Sequence, residues 1–277
     1  MNKILAENLC FGEGPRWHDG RLWLSDMHDR KVLSVSPTGE VSVELEIPDD
    51  EPSGLGWLPD GTLLIVAMQS RRLLRWDGNE LTVHADLQNH ASWHCNDMVV
   101  SPSGHAYVGN FGFDLHHRGK PKAAELIRVD PHGNINVEDN QVMFPNGTVI
   151  TPDERTLIVG ESFGGQLTAF DIASTGELSN KRCWAPMPDK AVADGICLDA
   201  DMGIWVASPT TDECLRLKEG GEVTHRLALE RGAFACMIGG DHLYVLTASS
   251  SMPDACRENR DGRIEVFPAP YPAAGWP

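Results

Sequence analysis

The segment "NGTVITPDERTLIVGES", residues 146–162, has the pattern of a β-hairpin: an apolar strand, a polar turn and a second apolar strand. It begins with the pair Asn146-Gly147, although such a pair is usually the tip of a hairpin rather than the start of a buried strand. The next turn signal, "TPDERT", comes only after the apolar residues 148–150. The position of this pair therefore has to be explained by the rest of the chain.

Five other segments resemble this one. Their starts, with that of the first segment, are 40, 43, 50, 48 and 40 residues apart, and a period of this length is typical of a repeat array or a propeller. A second hairpin follows the first in most units, which gives four strands per unit. The segments are "EGPRWHDGRLWLSD" from Glu13, "SGLGWLPDGTLLIVAM" from Ser53, "NDMVVSPSGHAYVGNF" from Asn96, "DGICLDADMGIWVAS" from Asp194 and "FACMIGGDHLYVLTAS" from Phe234.

The sixth unit ends after a third strand, "GRIEVFP", and a Pro-rich tail follows. We expect its missing outer strand to come from the N-terminal "NKILAEN", because this closure removes an exposed sheet edge. The sequence therefore predicts an all-β fold: one domain over residues 1–277, a six-bladed β-propeller with four antiparallel strands per blade, closed by the N-terminal strand.

Composition excludes several classes of partner. The formal net charge of −17 argues against nucleic acid, which needs a basic surface. There is no apolar run of about 18 residues, so we expect no membrane span. The N-terminus lacks the apolar core of a signal peptide, and the seven cysteines show no CxxC spacing, which favours reduced thiols in a cytoplasmic protein without a zinc-thiolate site. A closed propeller also makes a monomer with a small-molecule partner the simplest expectation.

The first strand of each blade lines the central channel of a propeller, so the residues at the start of the six units converge on its axis. Four of them carry carboxylate or amide oxygens: Glu13, Asn96, Asn146 and Asp194. Four oxygen donors with two formal negative charges are suited to a hard cation. The alternative is that polar channel residues only hold ordered water. On either interpretation Asn146 is an inward-facing residue and not the tip of a turn.

Several motifs resemble the family of senescence-marker protein (regucalcin), gluconolactonase and luciferin-regenerating enzyme. The resemblance spans essentially the whole chain, and "VGNFGFDL" (108–115) is similar to its bacterial lactonase-like members. The motifs are "GEGPRW" (12–17), "NDMVVSPSG" (96–104), "FPNGTVITPDERTLIVGES" (144–162) and "ADGICLDADMGIWVAS" (193–208).

The resemblance implies one catalytic divalent metal ion at the mouth of the channel, with Glu13, Asn146 and Asp194 as ligands and Asn96 binding either metal or substrate. Members of the family hydrolyse sugar-acid or other lactones, and the ion varies among calcium, zinc, magnesium, manganese and iron. A cation there would polarise the lactone carbonyl and lower the pKa of a coordinated water. We expect Asp194 to be the general base, although its direct attack on the substrate stays open.

Three further residues are candidates for substrate binding. His94 stands where some sugar lactonases of the family carry an arginine, and a single imidazole replaces a bidentate guanidinium there. Trp93 could stack on a sugar or an aromatic ring, and Ser53 could bind substrate. Two other functions stay open: hydrolysis of organophosphates or phosphoesters at the same metal site, and a non-catalytic calcium-binding or interaction propeller.

Three features lie outside this set. The polar insertion 111–122 is predicted to be a lid or rim loop, either merely solvated or basic enough to attract an acidic substrate. We expect Glu51 in a surface turn. The pair Glu161-Ser162 is expected to make structural hydrogen bonds.

Overall fold

The computed structural model describes residues 3–277, which form six four-stranded antiparallel sheets around one axis. Strand β1 (Lys3–Leu9) belongs to blade 6. Blade 1 holds β2 (Gly12–His18), β3 (Arg21–Asp26), β4 (Lys31–Val35) and β5 (Val41–Glu46); blade 2 holds β6 (Pro52–Trp57), β7 (Leu63–Ala67), β8 (Arg72–Trp76) and β9 (Leu81–Asp86). Blade 3 holds β10 (Cys95–Val100), β11 (Ala106–Asn110), β12 (Ala124–Val129) and β13 (Ile135–Val142).

The second half of the ring has the same plan. Blade 4 holds β14 (Pro145–Ile150), β15 (Thr156–Glu161), β16 (Gln166–Ile172) and β17 (Leu178–Pro186). Blade 5 holds β18 (Ile196–Leu198), β19 (Ile204–Ser208), β20 (Glu213–Leu217) and β21 (Val223–Ala228), and blade 6 holds β22 (Gly232–Gly239), β23 (His242–Ala248) and β24 (Gly262–Pro268) besides β1. A 3₁₀ turn at Met27–Asp29 and the helix α1 (Pro253–Asn259) complete the structure. The predicted six-bladed propeller is confirmed.

The ring closes through blade 6, as the sequence predicted. Strand β1 pairs antiparallel with β24, with Lys3 opposite Val266 and Ile4 opposite Glu265. One sheet therefore takes its outer strand from the N-terminus and its other three strands from the C-terminal end of the chain. The Pro-rich tail continues past β24 and bridges two other blades, with Trp276 opposite Ile150 and Ala273 opposite Asp199.

The blades pack through their faces, with apolar side chains on the inner strands and more polar positions on the outer ones. Every residue of β7 is buried, whereas the outermost strand β9 is mostly exposed. Tryptophans lie at the junctions: Trp17 stacks on Tyr244 of blade 6 at 5.5 Å, and Trp57 of blade 2 packs edge-on against Trp23 of blade 1 at 5.4 Å. These rings serve packing between blades. No helix in residues 3–277 has the length and hydrophobicity that a membrane crossing requires.

The innermost strands of blades 1 to 4 each begin with a β-bulge. In blade 4 the register shifts between Pro145 and Thr148, so that Asn146-Gly147 lie inside the bulge. The corresponding shifts follow Glu13, Pro52 and Cys95. Because a bulge bends the strand and re-aims a side chain, it turns the second residue of each strand toward the axis. This explains why a turn-forming pair starts a buried strand.

The bulge also lets neighbouring blades approach closely at the axis. The Gly147 amide donates to the Asp194 carbonyl of blade 5 at 3.2 Å. A Cβ on Gly147 would lie 2.7 Å from that same carbonyl oxygen and closer still to the backbone nitrogen of Ile196. A Cβ on Gly54 would meet Asp97 Oδ1 at 2.8 Å. Glycine after the axial residue is therefore needed because the next backbone occupies the space of a side chain.

We expect Gly147→Ala to lower the free energy of unfolding by about 1–3 kcal/mol, the usual range for inserting a methyl group into a filled site. Urea unfolding measures the change. Gly160→Ala in the same blade is the matched control, because its Cβ would meet the Ala193 methyl group at 3.1 Å and no backbone atom closer than 3.4 Å. An equal loss of unfolding free energy in the two variants would show that the close approach of blades 4 and 5 at Gly147 is not important for stability.

Candidate active site

A cavity of about 300 Å³ lies on the axis, at the end where the innermost strands begin. All four predicted oxygen donors line it. Glu13, Asn96 and Asn146 are buried, and Asp194 is half-buried. These residues come from blades 1, 3, 4 and 5, so the fold brings together side chains that are as much as 181 positions apart in the sequence, from Glu13 to Asp194. We call these four residues the polar floor.

Hydrogen bonds fix the orientation of two residues of the polar floor. The Asn146 amide nitrogen donates to Asp194 Oδ1 at 2.6 Å and to Ser162 Oγ at 3.1 Å. Ser162 in turn donates its hydroxyl proton to the Ala193 carbonyl at 2.7 Å. Because both bonds use the Asn146 nitrogen, its carbonyl oxygen is the atom left to act as a ligand. Ser162 therefore positions Asn146, in keeping with the structural role expected for it, and it also lines the cavity.

An ion pair lies beneath the polar floor. Arg16 Nη2 is 2.6 Å from Asp97 Oδ1, and both side chains are buried. The guanidinium also donates to the carbonyls of Leu55 and Pro15, each at 2.7 Å, and to that of Met98. Asp97 thus holds an arginine that ties blades 1, 2 and 3 together. Asp97 also raises the pKa of two nearby carboxyl groups, those of Glu13 and Asp194.

The polar floor holds more negative charge than its surroundings compensate. Burial raises the pKa of Glu13 well above its usual range, and the nearby Asp194 and Asp97 raise it further. Burial likewise raises the pKa of Asp194 to about 8, and Asp97 adds to this effect, whereas the hydrogen bond from Asn146 opposes it. Two buried carboxylates that resist ionisation form a site that a divalent cation would stabilise.

The residues of the polar floor fit a hard cation. The Asn96 amide nitrogen is buried and has no hydrogen-bond partner in residues 3–277, while its oxygen accepts from Ser53 at 3.5 Å. A half-turn of this amide keeps the contact with the Ser53 hydroxyl and points the oxygen into the cavity, since the two ends have the same shape. Two carboxylates and two amide oxygens then line one cavity. Within the described part of the chain, no three His, Cys, Asp or Glu side chains form a metal site, so the amides are essential to this one.

The other predicted substrate-binding residues lie outside the cavity wall. Ser53 is buried behind Asn96. Trp93 stacks on His94 with ring centroids 5.3 Å apart, and burial lowers the pKa of His94, which keeps that ring neutral. Neither ring is among the residues that line the cavity. Their role in substrate binding stays a prediction.

The wall above the polar floor is aromatic, which the sequence reasoning missed. Two of its residues, Phe11 and Phe144, stand two positions before Glu13 and Asn146, just ahead of the innermost strands of blades 1 and 4. Their equivalent positions in the repeat are a signal that the sequence contains. The phenylalanines that line the cavity are Phe11, Phe111, Phe144, Phe163 and Phe234.

Phe144 adopts an unusual backbone conformation, with a φ of 60°. A bulky residue in the left-handed region costs about 1–3 kcal/mol and persists only where its surroundings hold it. Its carbonyl accepts from the Ser162 amide at 3.2 Å, and its ring stacks on Phe111 at 4.5 Å and packs on Phe163 at 5.4 Å. The conformation places an aromatic ring beside the polar floor.

A buried pair interrupts the aromatic wall. His28 Nδ1 lies 3.2 Å from Glu51 Oε1, and the imidazole stacks on Phe11 at 5.2 Å. Arg257 of helix α1 also contacts Glu51, at 3.2 Å. The expectation that Glu51 lies in a surface turn was wrong, because the carboxylate is buried against His28 and Arg257.

The insertion 111–122 forms part of the rim of the cavity. Leu115 and His116 line the cavity, while His117 points to solvent and contacts Asp114. Burial lowers the pKa of His116, so this ring is a neutral part of the wall. The loop therefore supplies apolar and neutral surface to the cavity.

We expect the cation-free protein to lose stability as the pH rises from about 4 to 8. The folded chain holds the protons of Glu13 and Asp194 more tightly than the unfolded chain, so the stabilising contribution is complete below pH 4 and disappears as the pH passes the raised pKa values. Thermal unfolding with and without Ca²⁺ tests this. A bound cation should raise the melting temperature by at least about 2 °C at pH 8, the shift that ~1 kcal/mol gives in a domain of this size, and by less at pH 5.

Asp194→Asn is the control for this pH dependence, because its amide does not titrate. The cation-free variant should melt higher than the cation-free native protein at pH 8 and should respond less to the cation. A melting temperature that is independent of both pH and cations would contradict the charge imbalance described here.

Comparisons with known proteins agree with this structure. The family model of the SMP-30/gluconolactonase/LRE-like region matches residues 11–249. Regucalcin from Danio rerio is 27% identical over 262 residues, which cover 90% of this chain and 86% of the relative. Among solved structures, a calcium-binding protein, regucalcin, from Agrobacterium tumefaciens has a TM-score of 0.81 at 20% identity and covers 99% of this chain and 95% of its own.

A gluconolactonase from Xanthomonas campestris has a TM-score of 0.78 at 22% identity and covers 96% of this chain and 88% of its own. At these identities the structures show a shared fold. The family model matches well over half of the chain, and the resemblance inferred from the sequence motifs is thereby confirmed. The chain belongs to the SMP-30/gluconolactonase/LRE-like family.

Proposed function

We propose that this chain is a hydrolase that requires a divalent cation and opens the ring of a small lactone. The observation that carries the proposal is the polar floor: two carboxylates and two amides from four blades meet at the base of one axial cavity. A propeller that only bound other proteins would not need this arrangement beneath a cavity. The family and its gluconolactonase-like fold support a lactonase-type activity.

Each residue of the polar floor has a role that its position supports. Glu13, Asn96, Asn146 and Asp194 would hold the ion, and Glu13 would mainly balance its charge. When bound, a divalent cation would polarise the lactone carbonyl and stabilise negative charge on its oxygen. In the opposite orientation of its amide, Asn96 would instead donate to the substrate from its nitrogen, which has no partner in the described structure.

Asp194 is the general base of the proposed reaction. It is the most exposed carboxylate of the polar floor, and the Asn146 amide holds one of its oxygens at 2.6 Å. Its carboxylate would accept a proton from a water that attacks the carbonyl carbon. Attack by the carboxylate itself is the alternative, and water labelled with ¹⁸O distinguishes the two, since only an acyl-enzyme transfers label into Asp194.

Asp194→Asn should lower kcat/KM by about 10²–10⁴, the usual contribution of a general base, while the affinity for the cation falls much less. Steady-state hydrolysis and calorimetric titration of the cation provide the two readouts. The matched control is Asp212→Asn, an exposed position away from the cavity, which should keep full activity. Full activity in Asp194→Asn would rule out this mechanism.

Removal of divalent ions should abolish hydrolysis, and addition of one ion at a time should restore it. The likeness to a regucalcin described as calcium-binding makes Ca²⁺ the first ion to test, followed by Mg²⁺, Mn²⁺, Fe²⁺ and Zn²⁺, because an oxygen-only site accepts several. Acid release from a panel of lactones, with paraoxon as a phosphotriester probe, gives the measurement. Undiminished activity in excess chelator would contradict the proposed dependence on a cation. Hydrolysis of paraoxon alone would favour a phosphotriesterase.

A further inference from the structure

We infer that the substrate is an uncharged lactone that carries an aromatic ring. This inference rests on the lactone hydrolysis proposed above and adds to it the chemical class of the substrate. Three properties of the cavity support it: the arrangement of its phenylalanines, the prior commitment of its polar side chains, and the absence of basic residues from its wall.

The phenylalanines form two groups on opposite sides of the axis. Phe111 and Phe144 belong to the ends of blades 3 and 4 and stack at 4.5 Å with 20° between their planes. Phe11 and Phe234 belong to blades 1 and 6 and meet edge to face at 4.8 Å. In a ring of six blades, blade 1 faces blade 4 and blade 3 faces blade 6. A flat ring that enters the cavity therefore has an aromatic surface on both sides.

Phe163 extends the first group to the mouth of the cavity. It follows strand β15 of blade 4 and packs on Phe144 at 5.4 Å and edge-on against Phe113 at 5.2 Å. Its side chain is 46% exposed, although a phenylalanine usually has to be buried to contribute stability. An exposed ring that lines a cavity and continues a buried aromatic cluster is placed to contact a ligand as it enters.

Three polar side chains of the wall, those of Thr210, Ser162 and His28, are already hydrogen-bonded to the protein. Thr210 donates its hydroxyl proton to the Lys190 carbonyl at 2.6 Å, and Ser162 is bonded to both Asn146 and Ala193. The His28 ring lies between Glu51 and the Ser251 carbonyl.

A sugar lactone with several hydroxyl groups would lose water here and find few new partners. Each unpaired hydroxyl would oppose binding, because a buried polar group without a hydrogen bond is unfavourable. An aromatic lactone has only the ester group to satisfy, and that group faces the polar floor.

The charge of the wall favours a neutral substrate. No lysine or arginine of residues 3–277 lines the cavity. The basic residues of the rim insertion, Arg118, Lys120 and Lys122, are also absent from the lining. An acidic substrate would thus enter without a cationic partner from this wall, and the hypothesis that the insertion attracts acids loses its support.

The reaction on such a substrate is balanced by water alone. The acyl C–O bond of the ring breaks, the water oxygen bonds to the carbonyl carbon, and the departing alcohol oxygen takes up the proton that Asp194 removed from the water. The product is a hydroxy acid whose carboxylate is charged at neutral pH.

Three six-membered lactones separate the substrate classes: 3-isochromanone, with a fused benzene ring; δ-valerolactone, without one; and glucono-δ-lactone, with four hydroxyl-bearing substituents. 3-Isochromanone releases a benzylic alcohol rather than a phenol, so leaving-group reactivity differs little from that of δ-valerolactone. To remove differences in intrinsic reactivity, each kcat/KM is divided by the rate constant for hydrolysis of the same lactone by hydroxide. On this scale we expect 3-isochromanone to exceed δ-valerolactone by about tenfold, as burial of a ring against aromatic side chains suggests, and glucono-δ-lactone to rank last.

Phe163→Leu tests the ring contact without loss of apolar character. It should lower kcat/KM for 3-isochromanone by about three- to tenfold and change that for δ-valerolactone by less than about twofold. The matched control is Phe267→Leu, a partly buried position on β24 that packs in another cluster and should alter neither value. Because Phe163 is half-exposed, the variant should fold, and its melting temperature verifies this.

The possible outcomes separate this inference from the proposed function. Preference for glucono-δ-lactone, or equal losses for both lactones in Phe163→Leu, overturns the aromatic class and leaves lactone hydrolysis in place. Absence of hydrolysis with every cation overturns the proposed function. In that event saturation-transfer NMR with 3-isochromanone decides the inference: saturable binding that Phe163→Leu weakens supports an aromatic ligand, and no binding overturns it.

Discussion

The bulge at the start of the innermost strands determines the position of three residues of the polar floor, Glu13, Asn96 and Asn146. A regular strand would alternate its residues between the two faces of the blade, and none would point along the axis. The extra residue at Asn146-Gly147, and at its equivalents in blades 1 to 3, bends the strand and turns one side chain into the channel. The following glycine then allows the next blade to approach. Ring closure and site formation are thus one structural feature.

Closure of the propeller ring also brings acidic side chains close together near its axis. Glu13, Asp97 and Asp194 come from three blades, and Arg16 is the basic side chain that pairs with one of them. Burial raises the proton affinity of both Glu13 and Asp194. The fold carries this unfavourable charge at its centre because the same groups are suited to hold a cation. In that sense the site costs stability that the remainder of the ring must provide.

The aromatic wall is apolar, whereas the base of the cavity is polar and charged. The two ends of the cavity therefore suit different parts of a ligand. The base of the cavity offers oxygen atoms and charge, and the wall offers ring faces and few free hydrogen bonds. A ligand that is polar at one end and flat and apolar at the other matches both parts. The pair of His28 and Glu51, held by Arg257, stiffens the wall near Phe11. The residues that would set the proposed specificity therefore lie just before or just after the inner strands.

The sequence by itself determined the architecture and the base of the site. The 40–50 residue repeat, the hairpin turns and the missing strand of the last unit are local patterns, and local patterns suffice to count blades and to identify the closing strand. They also suffice for Glu13, Asn96, Asn146 and Asp194, because equivalent positions of a propeller must converge. Only the tertiary structure showed which side chains from different blades contact one another. The Arg16–Asp97 pair, the burial of Glu51 and the facing groups of phenylalanines depend on contacts across the ring, between residues far apart in sequence. Such contacts depend on the twist of each blade and its approach to the axis, and no periodicity in the sequence records those distances.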